Sequence, residues 1–475
     1  MAKIALVIPN FLLREKFGEI SDPPIGVASI GGYLEQHGHD VLVVDGMGEN
    51  IQNPEIYQRI EDFSPKYVGI SCNYCTVHNT TIQLSTLLKE NFGDSIFIFV
   101  GGNHASSLSE ALLVQSNGNI DCIASGEGET VTLSLIEALE AKESLGKVPG
   151  IKFIENGGMV INPPESLIAD LDILGMPAYH LLPMDYYKRY NIVSMRGCPY
   201  ACNFCASTAI FTRKVRYRSP SNVVAEIEHL LKTYGDRHFW FSDDTFTVNR
   251  SHTIELLGAI KERGINLKWS CLTTVNKVKS DLLELMRDSG CKYVSYGIES
   301  GNIDLLSRVG KKISIDGIIQ TSRLSHSVGL THYGFFILGF PGETWETIYD
   351  TYKLIYESEL DGGGMNILIP LPGTSLWDSL FHKEKMFTLE EMKWDELFAR
   401  LPNEATLSFP AQLASRWCDL SSDELLEASR IGQRMFDIAS HFKGGQALAP
   451  EEDASLIIST NTQSFKTESS ELTYG

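Results

Sequence analysis

Short apolar runs alternate with amphipathic stretches along most of the chain. In the first 145 residues, runs at 3–8, 39–45, 67–71, 96–101 and 121–125 have strand length, and a helical pattern at 26–37 separates the first two. Strands that alternate with helices predict a parallel sheet covered on both faces. Such a sheet binds ligands at the carboxyl ends of its strands. Those ends carry Pro9-Asn10, Ser71-Cys72-Asn73, Gly101-Gly102-Asn103-His104 and Gly126-Glu127-Gly128-Glu129. Paired glycines let a backbone approach a large flat ligand closely.

Residues 146–190 read as a connector, with a hairpin at Asn156-Gly157-Gly158 and punctuation by Pro163, Pro164 and Pro177. A second series follows, with strands at 191–196, 238–243, 267–273, 293–300, 332–340 and 366–370. Helical patterns at 219–234, 251–263, 280–289 and 343–357, and segments reaching 328, fall between them. Six strands, most followed by a helix, predict a partial barrel with its site at the carboxyl-terminal strand ends. Residues 376–446 read as helical, with one buried face over 425–442. The stretch 447–475, rich in Ser, Thr and Glu, reads as a poorly ordered tail. The expectation is an α/β chain. A doubly wound, Rossmann-like sheet occupies 1–145, the connector 146–190, a partial (β/α)6 barrel 191–375, and a helical region 376–446.

Composition narrows the functional classes. A net charge of −20, from 40 basic and 60 acidic residues, argues against an extended nucleic-acid surface. No run approaches the ~20 apolar residues of a membrane span. The first apolar run is too short for a signal peptide. Nine cysteines without a secretory signal predict a reducing cytoplasm and metal or redox use rather than a disulfide framework.

Three of those cysteines, Cys198, Cys202 and Cys205, lie on the run Cys198-Pro199-Tyr200-Ala201-Cys202-Asn203-Phe204-Cys205. A structural zinc site wants four ligands, and the nearest histidines are His180 and His229. A centre with three protein ligands keeps one coordination position open, as in a 4Fe–4S cluster with one iron free.

This loop, with Phe204 before its third cysteine, resembles the motif of radical S-adenosylmethionine (SAM) enzymes. The resemblance continues along the barrel. Asp243-Asp244-Thr245-Phe246 resembles that family's site for the methionine amino group. In Tyr296-Gly297-Ile298-Glu299-Ser300-Gly301, Glu299 and Ser300 would face the ribose and carboxylate region. Gly339-Phe340-Pro341-Gly342-Glu343 resembles the motif beside the adenine. Pro370-Leu371-Pro372-Gly373-Thr374 is similar to a signature of the branch with an amino-terminal cobalamin-binding domain. Pro24-Ile25-Gly26, His37-Gly38-His39-Asp40 and the two glycine-bearing loops match that branch in place and order. The Asp-x-His-x-x-Gly signature of many cobalamin proteins is missing, and no histidine precedes His37. The resemblance therefore implies a cobalt without that lower-face histidine.

What the resemblance implies is a 4Fe–4S cluster on Cys198, Cys202 and Cys205. It implies SAM against Phe204, Asp243, Asp244, Glu299, Ser300, Gly339 and Phe340. Cobalamin would lie against Pro9, Asn10, Ser71, Cys72, Asn73, Tyr74, Cys75, Gly101, Gly102, Asn103, His104, Gly126, Glu127, Gly128 and Glu129. The implied activity is methyl transfer to an unactivated carbon or phosphorus of a small metabolite, through a 5′-deoxyadenosyl radical and methylcobalamin, with electrons from a flavodoxin- or ferredoxin-type donor. The alternatives are a radical oxidation, cyclisation, dehydration or epimerisation without methyl transfer, or a sensor without turnover. No catalytic acid–base residue is assigned.

Plainer readings stand beside these. Cys72 and Cys75 can be small residues packing at a strand end. Cys122, Cys271, Cys291 and Cys418 read as core. His104 can cap the following helix, and Asp243 and Asp244 can cap theirs. Lys311-Lys312 and residues 213–218 read as solvated charge.

Overall fold

The computed structural model describes residues 1–11, 22–397 and 404–442. The expected tail at 447–475 lies outside them.

The first sheet has seven strands: β1 (Lys3–Ile8), β2 (Asp40–Asp45), β3 (Tyr67–Ser71), β4 (Phe97–Gly101), β5 (Cys122–Ala124), β6 (Ile151–Glu155) and β7 (Gly158–Ile161). Their order is β2-β1-β3-β4-β5-β6-β7. The first five pair in parallel; β6 and β7 add an antiparallel edge. The chain reverses its direction of growth between β1 and β3, which opens a crevice at their carboxyl ends. Helices Ile25–Gln36, Asn53–Phe63, His78–Phe92 and Gly128–Glu140 cover the two faces. The run Ile4, Ala5, Leu6, Val7 and Ile8 is buried throughout, as a strand covered on both sides requires. One expectation is corrected here. The hairpin at Asn156-Gly157-Gly158 is no connector; it pairs with β5, so the first unit extends to Ile161.

The second sheet is wholly parallel, its six strands lying side by side in the order in which they follow along the chain. Its strands are β8 (Arg189–Ile192), β11 (His238–Phe241), β12 (Trp269–Thr273), β13 (Cys291–Glu299), β14 (Thr331–Leu338) and β15 (Gly362–Ile367). Helices Pro220–Tyr234, Arg250–Glu262, Ser280–Asp288, Ile315–Ser327 and Trp345–Glu357 lie between them. Ser219 caps the first of these, its hydroxyl accepting from the Asn222 amide, and Pro220 follows at the first helical position. A two-stranded antiparallel ribbon, β9 (Met195–Arg196) with β10 (Arg216–Tyr217), leaves the sheet after β8. Its two strands bracket the cysteine loop. The carboxyl-terminal helices Glu404–Ala414 and Ser422–Phe442 pack on the β15 edge.

Candidate functional site

The cysteine loop is fastened through the backbone of Asn203. The Asn203 amide donates to the Val309 carbonyl at 3.0 Å, and its own carbonyl accepts from the Leu376 amide at 2.9 Å. Gly310, at φ +76°, lets the chain pass; a Cβ there would lie 2.6 Å from the Ala201 carbonyl oxygen. All three cysteines are free thiols, partly exposed. Burial pushes each thiol up, Cys205 to about 11. Cys198 Sγ lies 3.8 Å from the Thr245 hydroxyl. Among the described residues, no three His, Cys, Asp or Glu side chains converge on a single-ion position. An iron–sulfur cluster instead distributes its thiolates over separate irons.

Lys311 is the nearby cation. Its ammonium donates to Glu299 Oε1 at 2.8 Å, with the two side chains 14% and 10% exposed. Burial works against the Lys311 charge, but Glu299 and the thiols of Cys202 and Cys205 outweigh it and raise its pKa. Glu299 holds φ +74° at a register shift between β13 and β14, a costly backbone conformation for a glutamate. Gly297 makes room for the pair: a Cβ there would sit 2.8 Å from Glu299 Oε1 and 3.0 Å from Lys311 Nζ.

The other barrel motifs divide between cleft and scaffold. Asp244 accepts from Ser207 at 2.6 Å and lines the cleft beside Cys205. Asp243 is fully committed, accepting from the Ser194 amide, the Ser194 hydroxyl and the Met195 amide. Burial pushes its carboxyl up to about 7 against those bonds. Neither caps a helix; Asn249 caps the next one. The Phe204 and Phe340 rings meet edge-on, 5.4 Å apart. Gly339, at φ +86°, lies against Ala414, and its carbonyl accepts from Trp417 Nε1 at 2.8 Å. Glu343, expected in the helix, folds under this turn and accepts from the Gly339 and Phe340 amides. Ser300 is a turn residue, accepting from the Asn302 amide.

On the first sheet, residues 71, 73–75, 101–104 and 126–129 line one wall of the cleft. Gly102 holds φ +109°, and a Cβ there would lie 2.9 Å from the Asn73 nitrogen. The side chains expected at this edge take different places. Pro9 and Asn10 are not on the wall; Asn10 is buried and accepts from the Phe11 amide. Cys72 is wholly buried in the core, its thiol pushed up to about 12 by burial. Glu127 and Glu129 border the cleft, but their carboxylates are tied to arginines. His104 sits inside the short helix Asn103–Ser107, which Gly102 caps. Its Nε2 bonds His78 Nδ1 at 2.8 Å, and Trp394 packs on both rings. Burial, then His78, depresses His104 to about 3, so both rings are neutral at pH 7.

One cleft of about 1170 Å³ joins these walls. The first sheet gives residues 73–75 and 101–104; the second unit gives Cys205, Ser207, Phe211, Asp244 and Leu371. Asn103 Oδ1, His104 Nδ1 and Ser125 Oγ at the strand ends, and Tyr200 Oη and Asn203 Oδ1 on the cysteine loop, are buried without a protein partner. Buried polar atoms are almost always satisfied, so these point to bound groups or water. The sequence pattern missed the cations. Arg216, read as solvated, is buried, and Lys311 is mostly covered; both are paired, and nothing in a single arginine or lysine signals that.

Comparison with known proteins extends the picture. Residues 192–355 match the Radical SAM superfamily model and residues 21–136 the B12 binding domain model. An uncharacterized methyltransferase of Pyrococcus horikoshii is 31% identical over 399 residues, 82% of this chain and 86% of that protein. The anaerobic magnesium-protoporphyrin IX monomethyl ester cyclase of Rubrivivax gelatinosus is 30% identical over 384 residues, 78% of this chain and 68% of that one. In fold, the chain is similar to the radical S-adenosylmethionine methyltransferase TsrM from Kitasatospora setae, solved with cobalamin and a [4Fe-4S] cluster. The TM-score is 0.69 at 20% identity, covering 81% of this chain and 75% of that one.

Proposed function

This chain belongs to the radical SAM superfamily, in the branch that carries a B12-binding domain, and from that premise we propose that it methylates an unactivated carbon or phosphorus of a small metabolite. The observation that carries the reading is the single cleft bounded by the strand ends of both sheets. The residues present fit the expected groups. Cys198, Cys202 and Cys205 are three soft donors on one anchored loop, with Lys311 offsetting their charge. Asp244 and Phe340 follow the ends of β11 and β14, and Phe204 of the cysteine loop meets Phe340, where SAM would bind. Ser71, Asn73, Tyr74, Cys75, Gly101, Gly102, Asn103 and His104 form the wall that would face a corrin ring.

When bound, the cluster and SAM supply radical hydrogen abstraction, and cobalamin supplies a methyl carrier. The chain's own part is to orient and to exclude. Gly102 and Gly310 give the close backbone approaches that shape the two walls. Phe211, Leu371 and Leu397 provide apolar lining that keeps water from the reacting centre. The His78–His104 pair is chained to Gln115 Oε1, which fixes the His104 ring at the cleft wall. The electron would come from a flavodoxin- or ferredoxin-type protein.

The similarity to a cyclase keeps radical oxidation or cyclisation as the second reading. Products separate the two. Under anaerobic turnover with SAM and a reduced donor, methyl transfer releases S-adenosylhomocysteine and 5′-deoxyadenosine in equal amounts. Release of 5′-deoxyadenosine alone, with cobalamin bound, contradicts methyl transfer and favours the second reading.

A further inference from the structure

The Gly126-Glu127-Gly128-Glu129 loop was expected to hold a ligand. Its side chains do something else. Glu127 Oε1 accepts from Arg196 Nη1 at 2.7 Å, and Glu127 Oε2 from Arg216 Nη1 at 2.5 Å. Glu129 Oε1 accepts from Arg196 Nη2 and from the Ser29 hydroxyl, each at 2.5 Å. The four side chains are 1%, 3%, 14% and 3% exposed for Glu127, Glu129, Arg196 and Arg216. Glu127 Oε2 also accepts from the Ile168 amide at 2.7 Å, and Arg216 donates to the Ile168 carbonyl at 2.8 Å. The Phe211 ring lies 5.7 Å from the Arg196 guanidinium and 6.0 Å from that of Arg216.

The two arginines are direct cross-strand partners on β9 and β10. That ribbon is the base of the excursion over 197–215 that carries all three cysteines, and Arg196 stands two positions before Cys198. Two residues per strand is too short a ladder to fix the direction of such a loop by itself. The carboxylates opposite belong to the first sheet's ligand edge, where residues 126–129 line the cleft. Buried, bidentate arginine–carboxylate pairs set orientation as well as contact.

We infer that Glu127, Glu129, Arg196 and Arg216 form a positioning clamp that fixes the cysteine loop against the B12-binding edge, so that the two cofactor sites keep one separation and one orientation. This rests on the methyl-transfer reading for its purpose, though the clamp itself does not depend on it. The four residues hold no cofactor and act through the loops they join.

Arg196→Lys keeps the charge and loses the fork; Glu129→Gln keeps the shape and loses the charge. The full chain is reconstituted anaerobically with its cluster, loaded with cob(II)alamin and reduced with dithionite. Paramagnetic resonance then reads the mutual broadening of the two unpaired spins. Both variants are expected to keep wild-type iron and corrin content and to lose that broadening. Their amides over 197–215 should exchange about tenfold faster, equivalent to about 1.4 kcal/mol. Unchanged broadening overturns the positioning role even where exchange is faster, because looser packing alone would leave the spin coupling intact. If either variant loses iron, Ser29→Ala, which removes one bond to Glu129, replaces it. It should shift broadening and exchange the same way but less, and no shift overturns the proposal. A wild-type chain that binds no cobalamin contradicts the functional reading. The exchange measurement on the cluster-loaded chain then decides the clamp, and unchanged protection in both variants overturns it.

Discussion

Replacing Glu299 tests the balance of charge and strain beside the cysteine loop. Glu299→Ala leaves the Lys311 ammonium buried without its carboxylate, 2.8 Å away in the intact pair. Removing one partner of a buried pair costs ~3–5 kcal/mol, and the residual exposure of both side chains favours the lower end. At ~2–4 °C per kcal/mol for a unit of this size, melting should fall by ~6–12 °C. The backbone at φ +74° offers an internal control. Alanine keeps the strain, whereas glycine relieves ~1–2 kcal/mol of left-handed cost. Glu299→Gly should therefore melt above Glu299→Ala yet below the parent. The assay is thermal unfolding of the iron-free chain followed by tryptophan fluorescence, since Trp240 and Trp269 report on the second sheet. An alanine variant that melts with the parent, or a glycine variant below alanine, refutes the reasoning.

Other outcomes follow from the same geometry. Burial raises Glu343 from 4.5 to about 7, so the folded chain keeps a proton that the unfolded chain has released. Its contribution to stability is thus greatest below pH 4.5, declines as pH rises to 7 and is flat above. Glu343→Gln should remove that decline in a melting series across the window. Gly102→Ala must adopt φ +109° and a 2.9 Å contact, at a cost of ~1–3 kcal/mol, and should weaken cobalamin binding by roughly tenfold in a spectral titration. Gly310→Ala pushes on the Ala201 carbonyl and should lower the iron retained per chain while leaving corrin binding unchanged.

Much of this molecule was legible because its signals are local. The buried runs of β1 and β3, the Ser219–Pro220 helix start and the cysteine spacing each act within a few residues. What escaped the sequence depends on distant partners. The last barrel strand, expected at 366–370, instead begins in a glycine run at Gly362. Its close neighbours are distant in sequence: a Cβ at Gly363 would lie 2.2 Å from the Gly334 carbonyl oxygen and 2.6 Å from the Phe436 ring. Asp243 and Asp244 are neighbours of one residue type, yet one ties Ser194 and Met195 while the other faces the cleft. Glu127 and Glu129 were legible as a ligand-edge motif, but their partners lie 89 and 67 positions away. No local pattern separates a carboxylate that meets a cofactor from one that holds a neighbouring loop.

The central claim is that one chain holds a cluster and a corrin on facing walls of one cleft. Iron and cobalamin are therefore to be counted together on the anaerobically reconstituted protein. The account predicts about four irons, as one cubane cluster requires, together with one cobalamin per chain. It further predicts that Cys202→Ala loses the iron and keeps the cobalamin. A full iron complement in that variant, or no bound cobalamin in the parent, would contradict it.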